Sequence, residues 1–471
     1  MTKNKIIWYA IGPIGSAVIG LITLPIITWF YSVEDVGRIS MLQVVASLAV
    51  LLFCLGLDQA YVRAYHETEN KPQLFKLTFL PGFVLLGLII ALAILIKPEL
   101  ISKLLYGMDS TSLGLISLGC FILAFSTRFL SLILRMQERA MAYSMSQLLS
   151  KVLFLSLILS IVWLDAEKNI YTLIAIHALS MCVVFLILGW NTYKEWSASF
   201  FYKLDGALLR EHMAFGLPLV IGGLASWGLN VMDKMFLRGM STFAELGIYS
   251  VAVSIAGVAT ILSGVFNTIW APMVYKWVND KNQAQIDKVD DISEYLLAVI
   301  FFVVVLSGFF SWVLIFVLPT EYVAVQFLIT ACLLGPLLYT LSETKAVGIT
   351  IARRTSLSML ASIGAMLVNA LGNYLLVPSM GAAGAAISTA AAFFILYILR
   401  TELSCLVWRK APRLKSYTVI LLALFASVLN LYFEKVGLSL IIWGGMIGVG
   451  FLIFYSTILK FIRVSMGRIT E

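Results

Sequence analysis

The run "LTFLPGFVLLGLIIALAILI", Leu77 to Ile96, holds twenty residues with no charge and no alternation of apolar and polar positions. A backbone in hydrocarbon must satisfy its own hydrogen bonds, so it crosses a bilayer as a helix or as part of a closed barrel. Barrel strands are about 10 residues long and alternate with period two. A helix needs about 20 apolar residues to cross about 30 Å of hydrocarbon. This run is of the second kind, and similar runs recur along a 471-residue chain that is 61% hydrophobic and 12% charged. The expected fold is an all-α polytopic membrane protein.

Threading the chain on this basis places about 14 transmembrane helices. Six fall at roughly 6–31, 38–62, 75–96, 111–134, 141–164 and 170–193. Six more fall at 213–238, 246–272, 293–318, 323–349, 356–378 and 382–407, and two at 416–433 and 438–462. The first run, Ile6 to Tyr31, exceeds the ~7–15-residue core of a secretory signal and is expected to remain as a span. If the N-terminus is cytoplasmic, 22 of the 33 Lys and Arg residues fall on the cytoplasmic side. Six fall on the other side and five lie within or at the ends of spans. The positive-inside rule thus puts both termini in the cytoplasm. The net charge of +8 belongs to loops facing an anionic leaflet, and no nucleic-acid partner is expected.

Several function classes drop out. The five cysteines sit in apolar segments without a CxxC pair, and the three histidines are scattered, so no metal site is expected. No GxxxxGK[ST] loop is present, which argues against ATP hydrolysis. The loops are too short to carry a folded domain. A membrane-embedded glycan polymerase or ligase would be expected to carry a large periplasmic loop with catalytic groups. The chain is not expected to be an enzyme or to carry a cofactor.

The chain also repeats itself. At an offset of 210 residues Gly12 meets Gly222, Ser16 meets Ser226, and Ser40 meets Ser250. Between them Glu34-Asp35-Val36-Gly37 meets Ala244-Glu245-Leu246-Gly247. Each copy is a long span, a short acidic turn ending in Gly, and a second span. Six spans per copy make the repeats parallel, the arrangement of secondary transporters that expose a midplane site alternately to each side. The expected domains are a six-helix bundle at 1–205, a second at 206–411, and two added helices at 412–471.

The charges inside the spans are the candidate functional residues. A charge near the bilayer centre costs about 2.5–3.5 kcal/mol on insertion scales and normally faces a cavity or a partner. Lys151 lies 12 residues past Arg139, about 18 Å into the fifth span, too deep to snorkel comfortably. Arg128, Lys234 and Lys345 are the other candidate cations of a substrate-binding cavity for an anionic head group. Snorkelling for Arg128 and local compensation for Asp233-Lys234 are the competing readings. Asp58, Asp233 and Glu343 are candidates for coupling transport to H+ or Na+, or for salt bridges. With Arg400, the in-span charges are five positive against three negative, a modest preference for an anionic substrate. Trp8, Tyr9, Trp227 and Trp270 are candidates to stack on sugars, although aromatics near span ends more often anchor the interface.

Three stretches carry a resemblance. "NALGNYLLVPSMGAAGAAIST", from Asn369, resembles the Asn–Asn–Pro–Gly–Gly signature of the multidrug/oligosaccharidyl-lipid/polysaccharide exporter superfamily. In that stretch Pro378 and Gly381 are expected to form a hairpin at Val377–Ala382, and Gly384 to permit close helix packing. "LGLDQAYVRAYHE" (Leu55–Glu67) and "FGLPLVIGGLASWGLNVMDKMFLRGMSTFAELGIYSVAVSIAG" (Phe215–Gly257) resemble its polysaccharide-transport branch. Where that branch commonly has Asp-Arg, this chain has Asp233-Lys234, which keeps the charge and gives up the guanidinium fork.

The resemblance implies two six-helix bundles around a V-shaped central cavity, and a flippase similar to the Wzx-type O-antigen translocases of the bacterial inner membrane. Its substrate would be an undecaprenyl-pyrophosphate-linked oligosaccharide carried from the cytoplasmic to the periplasmic leaflet. Its partners would be the lipid bilayer, a glycan polymerase and other polysaccharide-assembly proteins. A cation-coupled multidrug or metabolite exporter and a peptidoglycan-precursor flippase are the alternatives.

Overall fold

A computed structural model describes residues 3–280 and 283–467, all of whose regular structure is helical. The chain divides into two compact units, Met1–Trp227 and Gly228–Glu471, with the division inside helix α10. Unit 1 holds α1 (Lys3–Phe30), α2 (Val33–Phe53), α3 (Leu57–Ala64), α4 (Lys71–Ile96), α5 (Glu99–Tyr106) and α6 (Thr111–Met136). It continues with α7 (Ala140–Trp163), α8 (Ile170–Asn191), α9 (Tyr193–Ser199) and the first part of α10 (Gly206–Met240). Unit 2 holds the rest of α10, α11 (Phe243–Ala256), α12 (Ala259–Asn279), α13 (Gln283–Phe309) and α14 (Val325–Ile351). It closes with α15 (Thr355–Val407), α16 (Leu414–Phe433) and α17 (Val436–Gly467).

Twelve helices among the described residues are long and apolar enough to cross a membrane, and the bent pair α11–α12 makes a thirteenth. Helix α15 is 53 residues long, about 80 Å of helix against about 30 Å of hydrocarbon. It is broken at Gly381, whose φ of 52° and ψ of −127° are not helical. The two halves fold back on each other: a Cβ on Gly372 would meet Ser388, and one on Gly384 would meet the Leu376 backbone. Counting those halves separately gives up to fourteen candidate spans among the described residues, in line with the about fourteen apolar runs of the sequence. The reversal is tighter than the expected Val377–Ala382 hairpin. Pro378 lies within the helix, and Gly381 alone departs from it.

In unit 1, α1 lies close enough to α7 that a Cβ on Gly12 would fall 2.8 Å from the Ser144 Cα. Phe79 of α4 packs on Phe125 and Phe129 of α6, with ring centroids 5.4 and 5.5 Å apart. The expected single span 38–62 is instead broken between α2 and α3, where Leu55 and Gly56 both take positive φ. Gly56 meets Gly216 of α10 there: a Cβ on Gly56 would fall 2.1 Å from the Gly216 carbonyl oxygen. Both glycines come from the stretches that carry the family resemblance, and their missing side chains let two backbones touch.

Unit 2 is organised around α14, whose side chains are buried along nearly its whole length. The 210-residue offset reappears as capping geometry. Ser32 caps α2 by accepting the Asp35 amide, and Thr242 caps α11 by accepting the Glu245 amide, each at 3.2 Å. The acid that follows has diverged in use. Asp35 pairs with Arg38 at 2.8 Å, whereas Glu245 accepts the Ala382 amide at 2.8 Å. That bond satisfies a backbone donor left open by the break at Gly381.

Candidate functional site

Asn369 and Asn373 are four residues apart, so they share one face of the first half of α15. That face turns onto Asp233 of α10, which is 1% exposed. Asn369 and Asn373 each donate a side-chain N–H to Asp233 Oδ1, at 2.9 and 2.7 Å. The hydroxyls of Tyr249 (α11) and Thr389 (second half of α15) each donate to Oδ2 at 2.7 Å. Helix α11 and both halves of α15 thus converge on one carboxylate of α10. Hydrogen bonds to an ionised group are about twice as strong as neutral ones.

The site has acceptor capacity to spare. Asn373 Oδ1 is buried and has no hydrogen-bond partner. Asp233 itself has four neutral donors and no ion pair among the described residues. Carboxylate, amide and hydroxyl oxygens are the ligand set of a hard cation. The Asn373 amide oxygen, without a partner among the described residues, is the one acceptor of this cluster left open.

The two other candidate acids are already paired. Asp58, in the first turn of α3, accepts Nη2 and Nε of Arg128 (α6) on one oxygen at 2.7 and 3.3 Å. Glu343 of α14 accepts Arg400 of α15 at 2.6 Å, and that guanidinium also bonds Ser342 and lies over the Tyr339 ring.

The candidate cations differ just as sharply. Lys345 is 6% exposed and pairs with Asp290 of α13 at 3.3 Å, and Arg409 engages the other Asp290 oxygen at 2.9 Å. Arg128 remains 36% exposed beside Asp58. Lys234 adjoins Asp233 on α10 and is half-buried. Lys151 is the twelfth residue of the 24-residue α7, about 17 Å from either end. It is exposed and makes no hydrogen bond or ion pair with the described residues. His177 of α8 is within electrostatic range of it and packs edge-on against Phe154 at 5.4 Å.

Of the aromatic candidates, Trp270 is buried and stacked on Phe266 at 5.3 Å, and Trp227 donates its indole N–H to Ser47 at 2.9 Å. The side chains of Trp8 and Tyr9 lie outside the described residues. Sequence reasoning missed Tyr249 and Thr389 as partners of Asp233 and Asp290 as the partner of Lys345. The i, i+4 asparagines were the visible half of the first cluster. The other partners lie on separate helices, and nothing local marks them.

Residues 2–278 match the family described as "Polysaccharide biosynthesis protein". No curated protein matches the chain. Among solved structures, the lipid II flippase MurJ in an inward closed conformation aligns with a TM-score of 0.70 at 14% identity, covering 98% of this chain and 100% of that one. An inward-facing multidrug resistance MATE family transporter of the MOP superfamily aligns at 0.58 and 14% identity, covering 83% and 94%. A mutant of the Vibrio cholerae MATE transporter VcmN aligns at 0.54 and 14% identity, covering 85% and 95%. At these identities the likeness is one of fold: a multi-pass helical membrane protein built as these transporters are.

Proposed function

Because the chain belongs to the polysaccharide biosynthesis protein family, we propose that it is a flippase for a lipid-linked oligosaccharide. The substrate would be an undecaprenyl-pyrophosphate-linked repeat unit of O-antigen or a similar surface polysaccharide. It would pass from the cytoplasmic to the periplasmic leaflet of the bacterial inner membrane, with both termini of the chain in the cytoplasm. A glycan polymerase would use the delivered unit. No covalent bond is made or broken in such a cycle.

Lys151 carries this reading. A mid-membrane ammonium that costs a few kcal/mol to insert, and that no carboxylate among the described residues neutralises, suits a site that must hold an anionic head group. Arg128 would stand by as a second cation, released when Asp58 lets it go. Lys234, in unit 2, would be a further candidate cation, while Lys345 is taken up by its pairing with Asp290. Asp233 would take the coupling ion, Na+ or H+, since the other two acids hold arginines.

The test is reconstitution of the full chain in vesicles with a fluorescent lipid-linked oligosaccharide, with outer-leaflet accessibility followed over time. Scrambling or directed transfer by the wild type and its loss in Lys151→Gln are expected. Transfer undiminished in Lys151→Gln would remove the ground for the cationic site. Transfer of a lipid-linked peptidoglycan precursor or a cationic drug in place of the oligosaccharide would move the protein to one of the alternative substrates.

A further inference from the structure

The segment between α8 and α10 contains a cavity apart from the in-span charges. At the α8–α9 junction a cavity of about 360 Å³ is lined by Arg139, Trp190, Asn191, Tyr193, Lys194 and Glu195, among others. Its walls are tied together. Arg139, just before α7, donates to the Asn191 backbone and side-chain oxygens, both at 3.1 Å. Gln137 donates to the Glu195 carboxylate at 2.7 Å. Lys194 is exposed and makes no hydrogen bond or ion pair with the described residues.

Beside the cavity, large rings stand uncovered: Trp190 is 80% exposed, Phe200 70% and Phe201 90%. Lys76 of α4 holds that segment in place by donating to the carbonyl oxygens of Phe200 and Tyr202, at 3.3 and 2.7 Å. The site therefore sits where α8 leaves its apolar span, with exposed rings and two cations close together in the chain. Tryptophan and tyrosine collect at the level of lipid head groups, and basic residues there attract anionic ones.

We propose that this cavity binds the phosphate-bearing head group of an anionic phospholipid, with the exposed rings against its acyl chains. The charge favours that occupant: Arg139 and Lys194 outnumber the one lining carboxylate, which is already engaged by Gln137. The inference is independent of what the protein carries across the membrane.

Native mass spectrometry of the full chain, titrated with phosphatidylglycerol or phosphatidylcholine, tests it. Retention of phosphatidylglycerol in preference to phosphatidylcholine is expected. Lys194→Glu should weaken the anionic lipid at least about fivefold, the effect of one basic residue at an anionic surface. Trp190→Ala should weaken both lipids. Lys194 makes no hydrogen bond or ion pair with the described residues, so the melting temperature of Lys194→Glu without lipid should equal that of the wild type. Arg139→Ala would give a further loss, read alongside its melting temperature because Arg139 also bonds Asn191. Equal retention of the two lipids, or unchanged phosphatidylglycerol binding in Lys194→Glu, would overturn the proposal. So would full displacement of phosphatidylglycerol by inorganic phosphate, which would make the cavity a site for the free ion.

Discussion

Asn373 donates its side-chain amide to the Asp233 carboxylate at 2.7 Å, joining two helices across 140 residues of sequence. A motif with the look of a packing joint is thereby also the coordination shell of a buried acid. Both descriptions hold: the asparagines order α15 against α10 because the carboxylate, out of water, needs their donors.

Removing those donors should therefore destabilise unit 2. Asn373→Ala or Asn369→Ala each takes away a hydrogen bond to a buried carboxyl group, a loss of about 1–3 kcal/mol. Thermal unfolding in detergent reads this. In an Asp233→Ala background the same substitutions should cost much less, because no carboxylate remains to be satisfied.

Coupling makes a separate demand on Asp233. Asp233→Asn preserves the shape and removes the charge. Transport in vesicles should then lose whatever dependence on a Na+ or pH gradient the wild type shows. A gradient dependence that survives this substitution would place the coupling group elsewhere.

The ion pair at the break between α2 and α3 gives a third expectation. Arg128→Ala strands Asp58, and Asp58→Asn strands Arg128. Each should cost about 1–2 kcal/mol, less than a fully buried pair because the guanidinium is more than one-third exposed. The double variant should be more stable than the sum of the two predicts. Additive losses in that double-mutant cycle would mean that the pair contributes no coupling energy of its own.

Two glycines should resist replacement for steric reasons. Gly381→Ala needs a Cβ at positive φ and within 2.5 Å of Glu245 Oε2, and Gly56→Ala needs one 2.1 Å from the Gly216 carbonyl. Losses of about 1–3 kcal/mol are expected at each from backbone strain alone, visible as lower yield and melting temperature. Glu245→Ala should soften the Gly381→Ala defect by removing the clashing carboxylate, but it cannot restore φ. Gly87→Ala, where no atom lies within 4 Å, is the control that should be silent.

The helical class, about fourteen candidate spans and the paired caps at an offset of 210 residues were all readable from the order of residues. Each rests on a local property: an apolar run long enough for the bilayer, or a short polar turn with a capping residue such as Ser32 or Thr242. The in-span charges were readable too, since a Lys or Asp among apolar residues stands out without any structure. Their pairing was not. Asp58, Asp233 and Glu343 looked equivalent along the chain, and among the cations only the depth of Lys151 set one apart. Packing separated them by bringing Arg128 to Asp58, Arg400 to Glu343 and Asp290 to Lys345, while leaving Asp233 to four neutral donors and Lys151 without a counter-charge among the described residues. An ion pair depends on a few ångströms between helices remote in sequence, whereas a span depends only on consecutive residues and the thickness of hydrocarbon.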